Sequence, residues 1–206
     1  MNLDRLKEAE AAFLQRFPGG FNDPGPAMQR ILKVHNVDQL ATFTRANVTA
    51  ATLSQPVLFA DTLLRIVSRS SMVSRFEKPL FKSFLQGLGA KSRRTLAEAF
   101  RKRLIGGKKR EGFEEIVDLF GRHGVARWSF VSAAPLYFAP SKETFVKPTT
   151  AKKIIALLEV RDLDYHARPT WQFYEGYRQL ILDIKKYIDP NLAPHNAAIT
   201  GFLMSA

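Results

Sequence analysis

Residues 92–123 read SRRTLAEAFRKRLIGGKKREGFEEIVDLFGRH, and this stretch decides the class of fold. Leu96, Ala97, Phe100 and Leu104 recur at steps of three and four, which places them on one face of a helix with 3.6 residues per turn. Ser92 precedes the run as an expected N-cap, so the spacing predicts a helix over 93–105, and Gly106-Gly107 stops it because glycine takes the left-handed conformation that closes a helix. After a basic link at 108–112, Phe113, Ile116, Val117 and Phe120 repeat the spacing as far as His123, where Gly124 ends it. Two amphipathic helices joined by a short basic link are therefore expected.

The same period extends in both directions. Upstream, Leu3, Leu6, Ala9, Phe13 and Phe17 predict a helix that Pro18-Gly19-Gly20 terminates, and Met28, Ile31 and Leu32 predict a shorter one over 27–34. Val37, Leu40, Ala41 and Thr44 follow Asn36 as a cap, 47–54 is ambiguous, and Ser54-Gln55-Pro56 opens a helix running to Ser70. A further helix covers 77–88. Downstream, 128–139 is apolar and aromatic and reads as a buried helix broken at Pro135 or as a short strand, with the helix preferred, and helices follow over 150–159, 171–188 and 196–204. No alternation of period two persists. The expectation is an all-α assembly of eight or more helices in a single domain over 1–206, with 106–112 the place where it would subdivide.

Composition sets further bounds. The absence of cysteine removes disulfides, thiolate metal sites and thiol nucleophiles and suits a reducing compartment, so a cytoplasmic location is expected. Charged residues from Asp4 to Arg16 interrupt what would have to be the apolar core of a signal peptide, and the longest uncharged stretches are too short and too proline-rich for a spanning helix, so no transmembrane insertion is expected. With 31 Lys and Arg against 19 Asp and Glu, the formal charge is +12, which favours contact with a polyanion.

That excess is concentrated. Between Lys91 and Arg110 stand Lys91, Arg93, Arg94, Arg101, Lys102, Arg103, Lys108, Lys109 and Arg110 against the single acid Glu98. Each phosphate neutralised by such a surface releases condensed counterions, so a dense run of cations is what binding to a nucleic-acid backbone requires. Lys91, Arg93, Arg94, Arg101, Lys102, Lys108, Lys109 and Arg110 are the expected nucleic-acid-binding residues. The competing account is a solvated helix face on which Glu98 pairs with Arg94 and Lys102 at spacing four. Arginine and lysine on phosphates position without specifying, so no base reading is expected.

Other constellations carry less. Residues 87–92 fall short of a phosphate-binding loop, since Leu85 and Ala90 stand where glycine is needed. His35, His123, His166 and His195 are scattered and match no metal-ligand spacing, and no cofactor is indicated. Glu111, Glu114, Glu115 and Asp118 are read as dipole partners in a first turn, with Asp118 paired to Arg122. Tyr165, Trp171, Phe173, Tyr174 and Tyr177 are expected to pack in the core near Trp128 and Phe145 rather than to stack bases. No nucleophile signature is present and no catalytic residue is assigned. The resulting expectation is a basic helical nucleic-acid-binding protein. One alternative is an interaction or scaffolding module that recruits an acidic protein or its own copy through an apolar patch at 128–138, and another is an enzyme whose site is dispersed through the sequence.

Overall fold

A computed structural model describes residues 1–205. Among the described residues there are twelve α-helices, two short 3-10 turns and no strand, so the fold is all-α. In chain order the helices are α1 (Leu3–Arg16), α2 (Pro26–His35), α3 (Val37–Asn47), α4 (Ala50–Leu53), α5 (Pro56–Arg69), α6 (Glu77–Gly87), α7 (Ala90–Leu104), α8 (Lys109–Arg122), α9 (Trp128–Phe138), α10 (Pro148–Leu157), α11 (Trp171–Ile184) and α12 (Asn196–Ser205).

The helix at the centre is α9. Every residue from Trp128 to Tyr137 is buried, which is the signature of a helix apolar on all sides and enclosed by others. It packs against α3, α5, α7 and α8. Pro135 lies inside it and supplies no N–H, but the helix continues past it, with the Ala139 amide donating to the Pro135 carbonyl. Ser132 anchors the next segment: its hydroxyl donates to the Trp128 carbonyl at 2.6 Å and accepts the Val146 amide at 3.0 Å. The extended stretch 143–146 is thereby held in the interior beside α9, and all four of its residues are buried.

The helices α7 and α8 are the expected pair, with two differences in their limits, and they pack on one another as a hairpin. The start of α7 is at Ala90, with Gly89 in the cap position, so Ser92 lies in the first turn and caps nothing. At the other end, Lys109 and Arg110 belong to α8, which leaves 105–108 as the turn; Gly107 adopts φ +70° there, a conformation that glycine reaches without strain. The two helices approach closely at Gly112, where a Cβ would lie 2.5 Å from the Ala99 carbonyl oxygen and 2.5 Å from the Arg103 amide nitrogen. Glycine is required at that position.

Two other expected caps also differ. Asn36 is left-handed at φ 37° and closes α2, and its side-chain amide donates to Gln39 instead of capping α3. The Ser54 hydroxyl donates back to the Ala51 carbonyl, so α5 starts on Pro56 without a side-chain cap. By contrast, Thr170 does cap α11, accepting the Phe173 amide. The aromatic side chains of α11 face inward, as expected: Phe173 stacks on Tyr177 with ring centroids 5.9 Å apart and meets Trp128 at 5.1 Å. Among the described residues no helix is long and apolar enough to cross a membrane.

Candidate functional site

The nine cations of the 91–110 segment separate into two groups. Six of them are ion-paired within the fold. Arg101 pairs with Glu98 at 2.7 Å, Lys102 with Glu111 at 2.6 Å and Glu115 at 2.5 Å, and Arg110 with Glu114 at 2.8 Å. Lys108 reaches Glu111 at 3.2 Å, while Lys109 and Arg103 both reach Glu143, at 3.0 and 2.8 Å. The expected pairing of Glu98 with Arg94 and Lys102 is therefore replaced. Arg101 lies three residues on and closes a two-pronged contact, and Lys102 turns across to α8, where two carboxylates meet it. Its hydrogen bonds to Lys102 and Lys108 hold Glu111 below the usual carboxylate value. Asp118 likewise pairs with Arg168 at 3.0 Å, not with Arg122.

Arg103 leaves the surface altogether. It is 1% exposed, in phase with Leu96, Ala99 and Phe100 on the buried face of α7, and its guanidinium forms a two-pronged contact with Glu143. Glu143 also accepts the Tyr174 hydroxyl at 2.9 Å, and the guanidinium lies over the rings of Trp171 and Tyr174. This network joins α7, α8, α11 and the 143–146 stretch.

The second group is Lys91, Arg93 and Arg94, at the start of α7. None forms an ion pair among the described residues. Ala90, Lys91 and Ser92 occupy the first three helical positions, where amide groups have no intrahelical acceptor, and no side chain caps them. The first turn holds no acid either, so three positive side chains sit at the positive end of the helix dipole. Arg93 extends back to the Gln86 carbonyl at 3.4 Å, over the end of α6. Lys78 and Lys82 precede Gln86 at steps of four along α6, and neither is ion-paired, so they continue the row of free cations.

The apolar stretch 128–138, expected as a docking patch under the interaction-module reading, is not at the surface. It is the enclosed helix α9, and the same absence of charge that suggested a sticky exterior reflects burial on all sides. Trp128 donates to the His166 carbonyl at 2.8 Å inside the structure. Phe145 does not join the α11 aromatic cluster. Instead it faces a cleft of about 420 Å³ between α1, α2, α10 and α12.

That cleft brings together residues the sequence left scattered. His35 and His195 both line it, with Ser71 and Lys147. The imidazole Nδ1 of His35 lies 3.0 Å from the Ser71 hydroxyl, and burial together with the Lys147 charge lowers its pKa. Burial also lowers that of His195; Asp38 opposes this, while His35 and Lys185 reinforce it. The Ala198 amide is shared between the His195 carbonyl and the His195 Nδ1, both at 3.0 Å, and the ring can accept it as the N-cap of α12 only with Nδ1 unprotonated. Only three-dimensional folding unites these positions, so spacing along the chain carried no signal for them. Comparison with protein-family models, with curated proteins and with solved structures finds no match to this chain.

Proposed function

We propose that the protein binds nucleic acid through its phosphate backbone, at the start of α7. One observation carries this reading: Lys91, Arg93 and Arg94 stand without an ion pair among the first five residues of a helix whose end amides have no side-chain cap. Within the folded chain this is an unfavourable place for three cations, because the helix dipole repels them. For an external phosphate it is favourable, since free amides, dipole and side-chain charge all point the same way. The row through Lys82 and Lys78 would extend the contact along a backbone. Arg101, Lys102, Lys108, Lys109 and Arg110, counted in the same basic segment, contribute less because carboxylates already neutralise them. No base specificity and no catalysis are part of this reading. A cytoplasmic setting, consistent with a cysteine-free chain, belongs to the same proposal.

The test is a titration of duplex and single-stranded oligonucleotides at several salt concentrations. Affinity for duplex should fall with a log–log slope of about −0.9 for each phosphate neutralised. Replacing Lys91, Arg93 and Arg94 together by alanine should reduce the steepness by up to about three such units, whereas removing the internal pair Arg110 and Glu114 together should leave it unchanged. Absence of binding at low salt, or a slope untouched by the triple substitution, would end the proposal.

A further inference from the structure

We infer that the cleft between α1, α2, α10 and α12 is a binding site for a small single-chain amphiphile with an anionic head, of the fatty-carboxylate class. The inference is independent of nucleic-acid binding, for which a different surface is proposed.

Three properties of the cleft support it. At about 420 Å³ it lies within the ~300–1,000 Å³ range of ordinary small-ligand sites. Its wall is apolar: Phe17, Ile31, Leu32, Met72, Phe145 and Met204 offer aliphatic and aromatic surface, including two flexible thioethers that adapt to a chain. Its ionic character has one sign. Arg16 and Lys147 belong to the lining, the two histidines add donors, and among the described residues no carboxylate lines the cleft. Apolar walls with cations and no anion complement a molecule that has an apolar body and one negative end. A neutral apolar ligand would gain nothing from the two cations, and a cationic one would be repelled.

Geometry also indicates where the head would lie. The His35 Nδ1 lies 3.0 Å from the Ser71 hydroxyl and near enough to Lys147 for that charge to act on it, so these polar groups gather on one side of the cleft. The head would therefore sit at the Lys147 and His35 side, within reach of the Ser71 hydroxyl, and the chain would run towards Phe17 and Met204.

The experiment is isothermal titration calorimetry of the full chain with three ten-carbon probes below their aggregation concentrations: decanoate, decanol and decyltrimethylammonium. Decanoate should bind with a stoichiometry of one. Decanol should bind at least about tenfold more weakly and the ammonium compound not measurably, since each factor of ten is ~1.4 kcal/mol and loss of charge complementarity is of that order. Two variants localise the site. Joint reversal of Arg16→Glu and Lys147→Glu should weaken decanoate by about tenfold or more. Gly201→Leu should fill the cleft without unfolding the protein: a Cβ there meets only the Phe21 ring edge, at 3.8 Å, and leucine suits a helix better than glycine. Its melting temperature should be at least that of wild type while decanoate binding is lost. Equal affinity for decanol and decanoate would overturn the inference. So would undiminished binding by a Gly201→Leu variant that melts like wild type, or equal weakening by Lys91→Glu and Arg94→Glu, which would show that net surface charge alone attracts the probe.

Discussion

Arg103 and Glu143 lie 40 residues apart and are 1% and 3% exposed, so an ion pair has been carried into the interior. Desolvation of both charges opposes this, and only good geometry offsets it. Glu143 has that geometry. Burial pushes its carboxyl up, but the hydrogen bonds and charges of Arg103 and then Lys109 outweigh burial and hold it below its ordinary value of 4.5. Tyr174, pushed up by burial and by the adjacent carboxylate, stays protonated and donates to Glu143. Because the folded-state value is depressed, the folded protein binds fewer protons than the unfolded chain between the two values. The stabilisation is therefore complete above 4.5 and is lost as pH falls through the folded value. Glu143→Gln, which leaves the guanidinium buried without a counter-charge, should destabilise by about 3–5 kcal/mol at neutral pH. In urea unfolding, the gap between wild type and variant should be constant above about pH 5 and narrow on further acidification. A gap of the same size at every pH would mean that Glu143 is not charged in the interior. Half of this pair was legible in the sequence: Arg103 falls in helical phase with Leu96 and Phe100 on the buried face. Glu143 was not, because Ser141-Lys142-Glu143-Thr144 has no period and its burial comes from the bond between Ser132 and Val146.

At the scale of elements, period and punctuation were sufficient for most of the helices, though not for α4, which lies in the stretch 47–54 that the pattern left ambiguous. The hairpin of α7 and α8 follows from its apolar spacing and its glycines, and the enclosure of α9 from a run with no charged residue between Trp128 and Phe138. Helix starts were less legible, because a capping serine or asparagine is only one of several ways to satisfy end amides. The consequence is largest at α7. Its start at Ala90 places Lys91 and Arg93 inside the first turn, with Arg94 next to them, in conflict with the dipole. Lys91→Glu should therefore raise stability, by about 0.3–1 kcal/mol as seen in the thermal midpoint, while weakening duplex binding. Opposite responses of stability and affinity to one substitution are what a site strained for an external anion produces. If the variant melts below wild type, the first turn is not under electrostatic strain and the case for a phosphate there fails.

For the whole molecule, sequence showed how much charge there is but not how it is arranged. The +12 excess is real, yet carboxylates from α7, α8 and the 143–146 stretch cancel most of the basic segment and confine free charge to one end of it. The cleft lay wholly beyond sequence reading, since His35, Ser71, Lys147 and His195 come from four separate stretches and meet only when α12 closes against α1 and α10. That closure is linked to pH. His195 caps α12 as a neutral imidazole, with Nδ1 accepting the Ala198 amide, and a proton on that nitrogen would abolish the acceptor. Its folded-state value lies below 6.5, and the same holds for His35. The unfolded chain therefore takes up protons that the folded chain does not as pH falls below 6.5, and stability declines until the depressed folded values are reached. The urea midpoint should thus drop between pH 7 and pH 5, above the range where Glu143 titrates. His195→Asn should flatten part of that decline, because asparagine caps a helix as well as any residue and does not ionise. His195→Ala should also flatten it, but from a starting stability lower by about 1 kcal/mol, the usual cost of a lost cap. A wild-type midpoint level from pH 7 to pH 5, or an undiminished slope in both variants, would show that closure of α12 does not depend on a neutral His195.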